Sequence, residues 1–197
     1  NRSVRAHRAY FSTRVGRYTR CDAARRFALG GREGGWMVGV IVQTNFGGVL
    51  QIDGAPVGRA LARESIEDVD GSCMIAVATD APLCARNLKR LAKRAFLGLG
   101  KTGGYASNGS GDFVIAFSTA DELRVPHRAE SPLLVQNVLT NDVVSPLFQA
   151  VVEATEEAIV NSLFAAVTTT GYKGKVVEAL PLDRVIPILQ KYNRIQQ

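Results

Sequence analysis

Histidine, cysteine and long apolar runs are scarce in this chain, and each shortage excludes a class of protein. The two histidines, His7 and His127, lie far apart, and the three cysteines, Cys21, Cys73 and Cys84, show no C-x-x-C spacing. We therefore expect neither a structural zinc site nor a disulfide framework, and no metal or organic cofactor is implied. No run of 18 apolar residues is present, which argues against a transmembrane helix.

The beginning of the chain offers no recognisable targeting signal. It lacks a basic start followed by a short apolar stretch and a small-residue cleavage site. Together with the unpaired cysteines, this favours a cytoplasmic location. A periplasmic location stays open, because the first residue is Asn1 rather than Met, and we expect the chain to be part of a longer protein.

Positive charge is concentrated at the beginning of the chain. The net formal charge is +6, yet residues 1–35 alone contain nine arginines, no lysine and only two acidic residues. Blocks of like charge are either interaction arms or solvated segments without structure. Phosphate-binding faces usually mix lysine, arginine and aromatic residues within a folded element. We therefore expect a disordered or non-native leader over residues 1–35, with nucleic-acid binding as the less favoured alternative.

From residue 36 onward the pattern predicts strands and helices of one layered domain. Short apolar, β-branched runs predict strands over residues 36–43, 49–52, 72–79 and 113–118. Amphipathic periodicity predicts helices over residues 82–98, 141–168 and 181–192. The first of these helices is expected to begin with an Asp80 cap and an early Pro82. The order of the elements indicates an α/β or α+β domain.

The junction Asp70-Gly71-Ser72 carries the strongest chemical signal. An acidic loop runs through a single glycine into a serine and then into an apolar strand. As structure alone, this is a turn that enters a strand. As chemistry, glycine tolerates a strained backbone, and the serine hydroxyl could attack the preceding carbonyl and cleave the chain.

Cleavage at this junction would create its own general base. The free α-amine of Ser72 would lie beside the hydroxyl of the same residue, and such amines have a pKa of about 7.7–8.0 in model compounds. That value suits proton transfer near neutral pH. The arrangement would need no catalytic histidine, a residue that this sequence scarcely offers.

A set of ungapped motifs extends this signal. Four segments occur in the order WMVGVIVQTNFG, LQIDGAPVGR, DGSCMIAVATDAPL and NLKRLAKRAFLGLGKTGGYASNGSGDFVIAFSTA. Over about residues 36–192 the chain resembles the L-aminopeptidase D-amidase/esterase (β-aminopeptidase) family of self-processing N-terminal-nucleophile hydrolases. The resemblance implies an α+β fold, a four-layer αββα sandwich that is incomplete here. It also implies that residues 36–71 end the large-subunit region and that residues 72–197 form the small-subunit region of the same domain.

The resemblance further implies roles for individual residues. Ser72 matches the nucleophile, released by cleavage between Gly71 and Ser72. Ser110 and Asp112 match the serine and the acid that hydrogen-bond around the nucleophile, and Asn45 matches the asparagine that stabilises the oxyanion. Read as structure alone, Asn45 is a turn residue and the other two belong to a glycine-supported loop. The implied activity is hydrolysis of N-terminal amino-acid peptides, amides or esters by a homo-oligomer.

Two other functions stay open at this point. An acyltransferase of the ornithine acetyltransferase type shares the general fold and the self-cleavage, but it uses a threonine nucleophile in a different motif. A nucleic-acid-binding protein would use residues 1–35, which do not resemble the family's large subunit. Since that subunit extends further upstream, part of the substrate pocket is expected to be missing. The sequence therefore predicts neither activity of this fragment alone nor a preference for α- or β-amino acids.

Overall fold

One five-stranded sheet organises the molecule. The computed structural model of the chain describes residues 13–15, 18–27, 35–61, 71–128, 131–174 and 176–195. The sheet order follows the chain: β1 (Thr13–Val15), β2 (Tyr18–Phe27), β3 (Trp36–Asn45), β4 (Ser72–Thr79) and β5 (Phe113–Ser118). A separate pair of short strands consists of β6 (Thr169–Thr170) and β7 (Val176–Val177).

The described residues also form four α-helices. These are α1 (Val57–Ala60), α2 (Ala85–Lys101), α3 (Ser145–Ala165) and α4 (Leu182–Lys191). Single 3₁₀ turns occur at Asp121–Leu123, Asn141–Val143 and Tyr172–Gly174. None of the helices in the described ranges combines the length and the apolar character of a membrane-spanning segment.

Strand direction brings three chain segments to one edge of the sheet. β3 and β4 are antiparallel, with Asn45 opposite Ser72 at the last pair of their register. β4 and β5 are parallel and are joined through α2, and Met74 lies opposite Phe113. The carboxyl end of β3 and the amino ends of β4 and β5 therefore meet at the same edge.

The two faces of this sheet differ in what covers them. The helix-covered face packs against α2 and α3, and its strand residues are buried: Val38, Val40, Val42, Cys73, Ile75 and Val77. The open face also carries large apolar side chains, but these are 36–52 % exposed: Met37, Ile41, Met74, Phe113, Ile115 and Phe117. The alternation follows from the two-residue period of a strand. The predicted α+β class is confirmed, and the described residues supply one helix layer and one sheet layer.

The predicted elements differ from the structure in a few places. β4 and β5 have the predicted bounds, whereas β3 continues two residues further, to Asn45. The prediction of a strand over residues 49–52 is wrong. Ile52 forms only an isolated bridge to Ala55, while the N–H of Gln51 donates to the carbonyl of Thr102. The main chain of this segment bonds to the ends of α2 and α1, because the N–H of Gly58 also donates to the carbonyl of Leu50, and it has no partner strand among the described residues.

The predicted start of α2 is also wrong. The helix begins at Ala85, with Cys84 in the cap position. Asp80 does not cap it, because its carboxylate accepts the N–H of Met37 at the start of β3, at 2.6 Å. Asp80 therefore ties two strands together instead of beginning a helix.

For the Arg-rich segment, the sequence predicts a disordered or non-native leader over residues 1–35. Within that range all of β2 except its first residue pairs with β3, from Thr19 opposite Thr44 to Phe27 opposite Trp36. The expected disorder therefore does not extend to β2. Residues 1–12, 16–17 and 28–34 lie outside the described residues, and the division into subunit regions at residue 72 stays a prediction.

Candidate active site

Asn45 and Ser72 share one face at the edge where β3 ends and β4 begins. They are register partners on antiparallel strands, so their side chains project from the same side of the sheet. Their neighbours project to the helix-covered face: Cys73 is fully buried, and the hydroxyl of Thr44 lies 2.9 Å from that of Ser162 in α3. Asn45 and Ser72 therefore lie on the open face, both half-buried.

The Ser72 hydroxyl is fixed by the loop that leads into β5. Its Oγ accepts the main-chain N–H of Gly111 at 2.9 Å. The contact follows from the parallel pairing of β4 and β5, which places the residues just before β5 beside the first residue of β4. One lone pair of the hydroxyl oxygen is thus occupied by a main-chain donor.

Asp112 is held by hydrogen bonds at both carboxylate oxygens. Its Oδ1 accepts the N–H of Cys73 at 2.8 Å, and its Oδ2 accepts the hydroxyl of Ser110 at 2.7 Å. The carboxylate therefore lies one residue away from the main-chain nitrogen of Ser72. An acid at this position can stabilise a positive charge on that nitrogen.

Gly71, which precedes the serine, adopts a backbone conformation that other residues avoid. Its φ is +151°, and a Cβ atom built on it would lie 1.9 Å from the carbonyl oxygen of Asn45. Any side chain there would collide with the end of β3. Glycine is therefore required where the chain enters β4, and its carbonyl is the one joined to the nitrogen of Ser72.

Cys73 is adjacent to Ser72, but its thiol is expected to be unreactive. Its side chain is fully buried on the helix-covered face. Burial, and secondarily the negative charge of Asp112, raise the pKa of its thiol from 9.0 to about 12. Since the thiolate is the reactive form of cysteine, Cys73 is excluded as a nucleophile near neutral pH.

Two cavities flank the site. A recess of about 10 Å³ is lined by Gly71, Ser110 and Asp112, and it has room for about one water molecule. A larger cavity of about 450 Å³ lies between the end of β3, α3 and residues 177–181. Asn45 is part of its lining, but Ser72 is not.

The structure thus brings together all the residues that the sequence singled out: Asn45, Gly71, Ser72, Ser110 and Asp112. Sequence reasoning missed the main-chain N–H groups of Gly111 and Cys73. The available signal for Gly111 was its position between Ser110 and Asp112 in a glycine-rich loop before a strand. Among the described residues, no group of three or more His, Cys, Asp or Glu side chains is arranged to hold a metal ion.

The fold and the position of the serine define a class of protein. A layered α+β domain with the candidate nucleophile at the first residue of a central strand is the fold of the N-terminal-nucleophile hydrolases. The chain belongs to peptidase family S58, whose model matches residues 22–177. The resemblance drawn from the sequence motifs is confirmed by this match.

Two curated relatives are similar over most of the chain. β-Peptidyl aminopeptidase BapA of Sphingosinicella microcystinivorans is 41 % identical over 178 residues, which are 81 % of this chain and 44 % of that protein. BapA of Sphingosinicella xenopeptidilytica is 35 % identical over 172 residues, 79 % of this chain and 42 % of that protein. The chain therefore spans less than half the length of these relatives.

Solved structures give the same result. The PH0078 protein of Pyrococcus horikoshii OT3 superposes with a TM-score of 0.79 at 42 % identity, covering 89 % of this chain and 48 % of that one. The L-aminopeptidase D-Ala-esterase/amidase of Ochrobactrum anthropi, described as a prototype of the serine aminopeptidases, gives 0.77 at 34 % identity. That match covers 90 % of this chain and 49 % of that one.

Proposed function

We propose that this chain carries the nucleophile of a self-processing serine aminopeptidase, amidase or esterase, and that it cleaves itself between Gly71 and Ser72. The observation that carries the proposal is the meeting of Asn45, Ser72 and the Ser110–Asp112 loop at one edge of the sheet. Membership of a peptidase family supports the same conclusion.

The first step is attack by Ser72 on its own chain. The Oγ atom adds to the carbonyl carbon of Gly71, the bond from that carbon to the nitrogen of Ser72 breaks, and the nitrogen takes up the hydroxyl proton. Water then hydrolyses the resulting ester and regenerates the hydroxyl. The unusual φ of Gly71 supports this assignment, because strained backbone is concentrated at functional sites.

The second reaction uses the new chain end on a substrate. The α-amine of Ser72 accepts the proton of its own hydroxyl as Oγ attacks the substrate carbonyl. Asp112, hydrogen-bonded to the next N–H along the chain, stabilises the ammonium that forms, and Ser110 orients this carboxylate. The Asn45 side-chain amide donates to the oxyanion. The bond from the substrate carbonyl carbon to the leaving amine or alcohol then breaks, the ammonium returns its proton to that leaving group, and water hydrolyses the acyl-enzyme.

The proposed substrates are peptides, amides or esters with a free N-terminal amino acid. The names of the relatives support this class, since they include a β-peptidyl aminopeptidase and an L-aminopeptidase. The chain spans about half of those proteins, so we assign no preference between α- and β-amino acids.

The open face supports a proposal about the rest of the fold. Its half-exposed Met, Ile and Phe side chains would be covered by a second sheet and helix layer, which complete the four-layer sandwich. Such a layer would also enclose Ser72, which lies on this face. We further propose a homo-oligomer in the cytoplasm, and we assign no nucleic-acid partner.

Intact-mass analysis of the full-length gene product tests the self-cleavage. We expect two polypeptides for the wild type, separated between Gly71 and Ser72, and one uncleaved chain for Ser72→Ala. A wild-type protein that stays in one piece, and that hydrolyses amino-acid amides equally well with Ser72→Ala, would refute the proposal.

A further inference from the structure

Among the described residues, the main-chain N–H of Gly111 is the group that the structure gives as the hydrogen-bond partner of the Ser72 hydroxyl. Its direction is fixed on both sides. The N–H of Ser110 donates to the carbonyl of Ser107 at 2.9 Å, and Asp112 is held by Cys73 and Ser110. Gly111 lies between these anchors, so its N–H points at the serine without depending on a side-chain rotamer.

This hydrogen bond has a definite chemical meaning for a nucleophile. A hydroxyl has two acceptor lone pairs and one proton to donate. Because Gly111 occupies one lone pair, the other lone pair is left for attack and the proton is left for a base. Hydrogen bonds to an ionised oxygen are shorter and about twice as strong as neutral ones, so this bond strengthens as the oxygen gains negative charge.

We propose that the main-chain N–H of Gly111 orients the Ser72 oxygen and stabilises negative charge on it during chain cleavage, which makes it a catalytic donor of this site. The inference rests on the proposed role of Ser72 as nucleophile. It adds a donor on the attacking oxygen, distinct from the Asn45 amide assigned to the oxyanion of the attacked carbonyl.

The residue type at position 111 agrees with this role. A Cβ atom there would lie 3.2 Å from Ser72 Oγ, closer than nearly all Cβ contacts in proteins. Glycine lets the N–H approach the hydroxyl without a side chain crowding the same oxygen. We therefore expect two separable defects, one from losing the N–H and one from adding a Cβ.

The decisive variant replaces the N–H of residue 111 with an ester oxygen. Glycolic acid incorporated at position 111 of the full-length gene product, in a cell-free translation, removes the donor and adds no side chain. Cleavage between Gly71 and Ser72 is followed by intact mass from pH 6 to pH 9. We expect cleavage to slow by about tenfold or more, since donors on developing charge contribute at least that much. We expect a similar slowing at every pH in this range, because a serine hydroxyl does not ionise there and the lost donor acts on charge that develops only during attack.

Three comparisons make the result specific. Glycolic acid at position 174 removes an N–H that donates to the carbonyl of Gly171 at 3.2 Å, and it should leave cleavage unchanged. Gly111→Ala keeps the donor and should slow cleavage less than the ester does. In a Ser72→Cys background the ester should cost less, because sulfur is a weak hydrogen-bond acceptor.

The outcomes separate this inference from the proposed function. If the wild type does not cleave, the proposed function fails. If the wild type cleaves and the ester at position 111 cleaves as fast, only the inference is overturned. An ester that slows cleavage equally in the Ser72 and the Ser72→Cys backgrounds would also overturn it, because that result reports a structural role alone.

Discussion

The two faces of the central sheet are built from the same strands but differ in how far their side chains are buried. On the helix-covered face, successive valine, isoleucine and cysteine side chains are buried against α2 and α3. On the open face, large apolar side chains remain half exposed, and the hydroxyl of Ser72 lies among them at the edge. One face therefore stabilises this part of the fold, while the other carries the proposed nucleophile.

The contrast is sharpest between consecutive residues. Ser72 and Cys73 differ by one position, yet one is half-buried with a hydrogen-bonded hydroxyl and the other is fully buried with its thiol pKa raised to about 12. Asn45 and Thr44 also project to opposite faces, since the hydroxyl of Thr44 lies 2.9 Å from that of Ser162 in α3. Because successive side chains of a strand project to opposite faces, neighbouring polar residues lie in different environments.

The largest expected effect is the loss of the nucleophile on the open face. Ser72→Ala in the full-length gene product should lower hydrolysis of an amino-acid p-nitroanilide by up to about 10⁶-fold, as removal of a serine nucleophile does elsewhere. Its thermal unfolding midpoint should stay near that of the wild type, because the hydroxyl is not part of the core. Equal activity of the two proteins would show that Ser72 is not the nucleophile and that the open face does not carry the reaction.

A second test concerns the adjacent thiol on the helix-covered face. In a Cys21→Ser, Cys84→Ser background, we expect Cys73 of the folded protein to react with iodoacetamide at pH 8 about 10³-fold more slowly than in denaturant. The reason is the rise in the pKa of its thiol from 9.0 to about 12, together with its burial. Equal rates in the two states, read by mass spectrometry, would place this side chain on an accessible surface.

The same pKa shift predicts how stability depends on pH. Because the folded protein holds the Cys73 proton more tightly than the unfolded chain, its contribution to the free energy of unfolding is full below pH 9. The contribution is lost as the pH rises toward 12. Urea unfolding of the wild type and Cys73→Ser between pH 8 and pH 10.5 measures it. The wild type should lose stability more steeply, and parallel curves would contradict the shift.

A third test separates Asn45 from Thr44. Asn45→Ala should slow hydrolysis by about 10²–10³-fold, the usual cost of removing one oxyanion donor. Thr44→Val should leave the rate within a few-fold and instead lower the free energy of unfolding by about 1 kcal/mol, the usual net value of one hydrogen bond. Steady-state kinetics and urea unfolding of both variants give the answer. An Asn45→Ala protein as active as the wild type would show that Asn45 does not stabilise the oxyanion.

The last comparison concerns two isoleucines on opposite faces. Ile75 is 3 % exposed and Ile115 is 52 % exposed. In the isolated chain, Ile75→Ala should cost more than Ile115→Ala by about 2 kcal/mol, since a buried truncation also leaves a cavity. In the full-length gene product the two costs should approach each other if a second layer covers Ile115. A persistent difference there would mean that the open face stays open.

Much of the fold could be predicted because its central strands have local signatures. β4 and β5 are short apolar runs between glycine, aspartate and polar residues, and their bounds agree with the prediction. Residues 49–52 have a similar signature, but the fold provides no partner strand, and periodicity does not contain that information. β2 was missed for the opposite reason, since an Arg-rich segment pairs with β3 through main-chain hydrogen bonds that its composition does not reveal.

The candidate site also has a part that the sequence predicts and a part that only the structure reveals. Residue types in motifs indicated Asn45, Ser72, Ser110 and Asp112, and the topology brings them to one edge. The donor on Ser72 is a main-chain N–H, whose direction depends on the parallel pairing of β4 and β5. Such a group has no residue type of its own, so sequence reasoning could point to its loop and no further.

The most direct test of the central claim is N-terminal sequencing of the smaller polypeptide from the purified full-length gene product. The account predicts a chain that begins Ser-Cys-Met-Ile, which are residues 72–75. A single chain with Ser72 inside it and full aminopeptidase activity would contradict the claim. A new chain end at any other residue would contradict it equally.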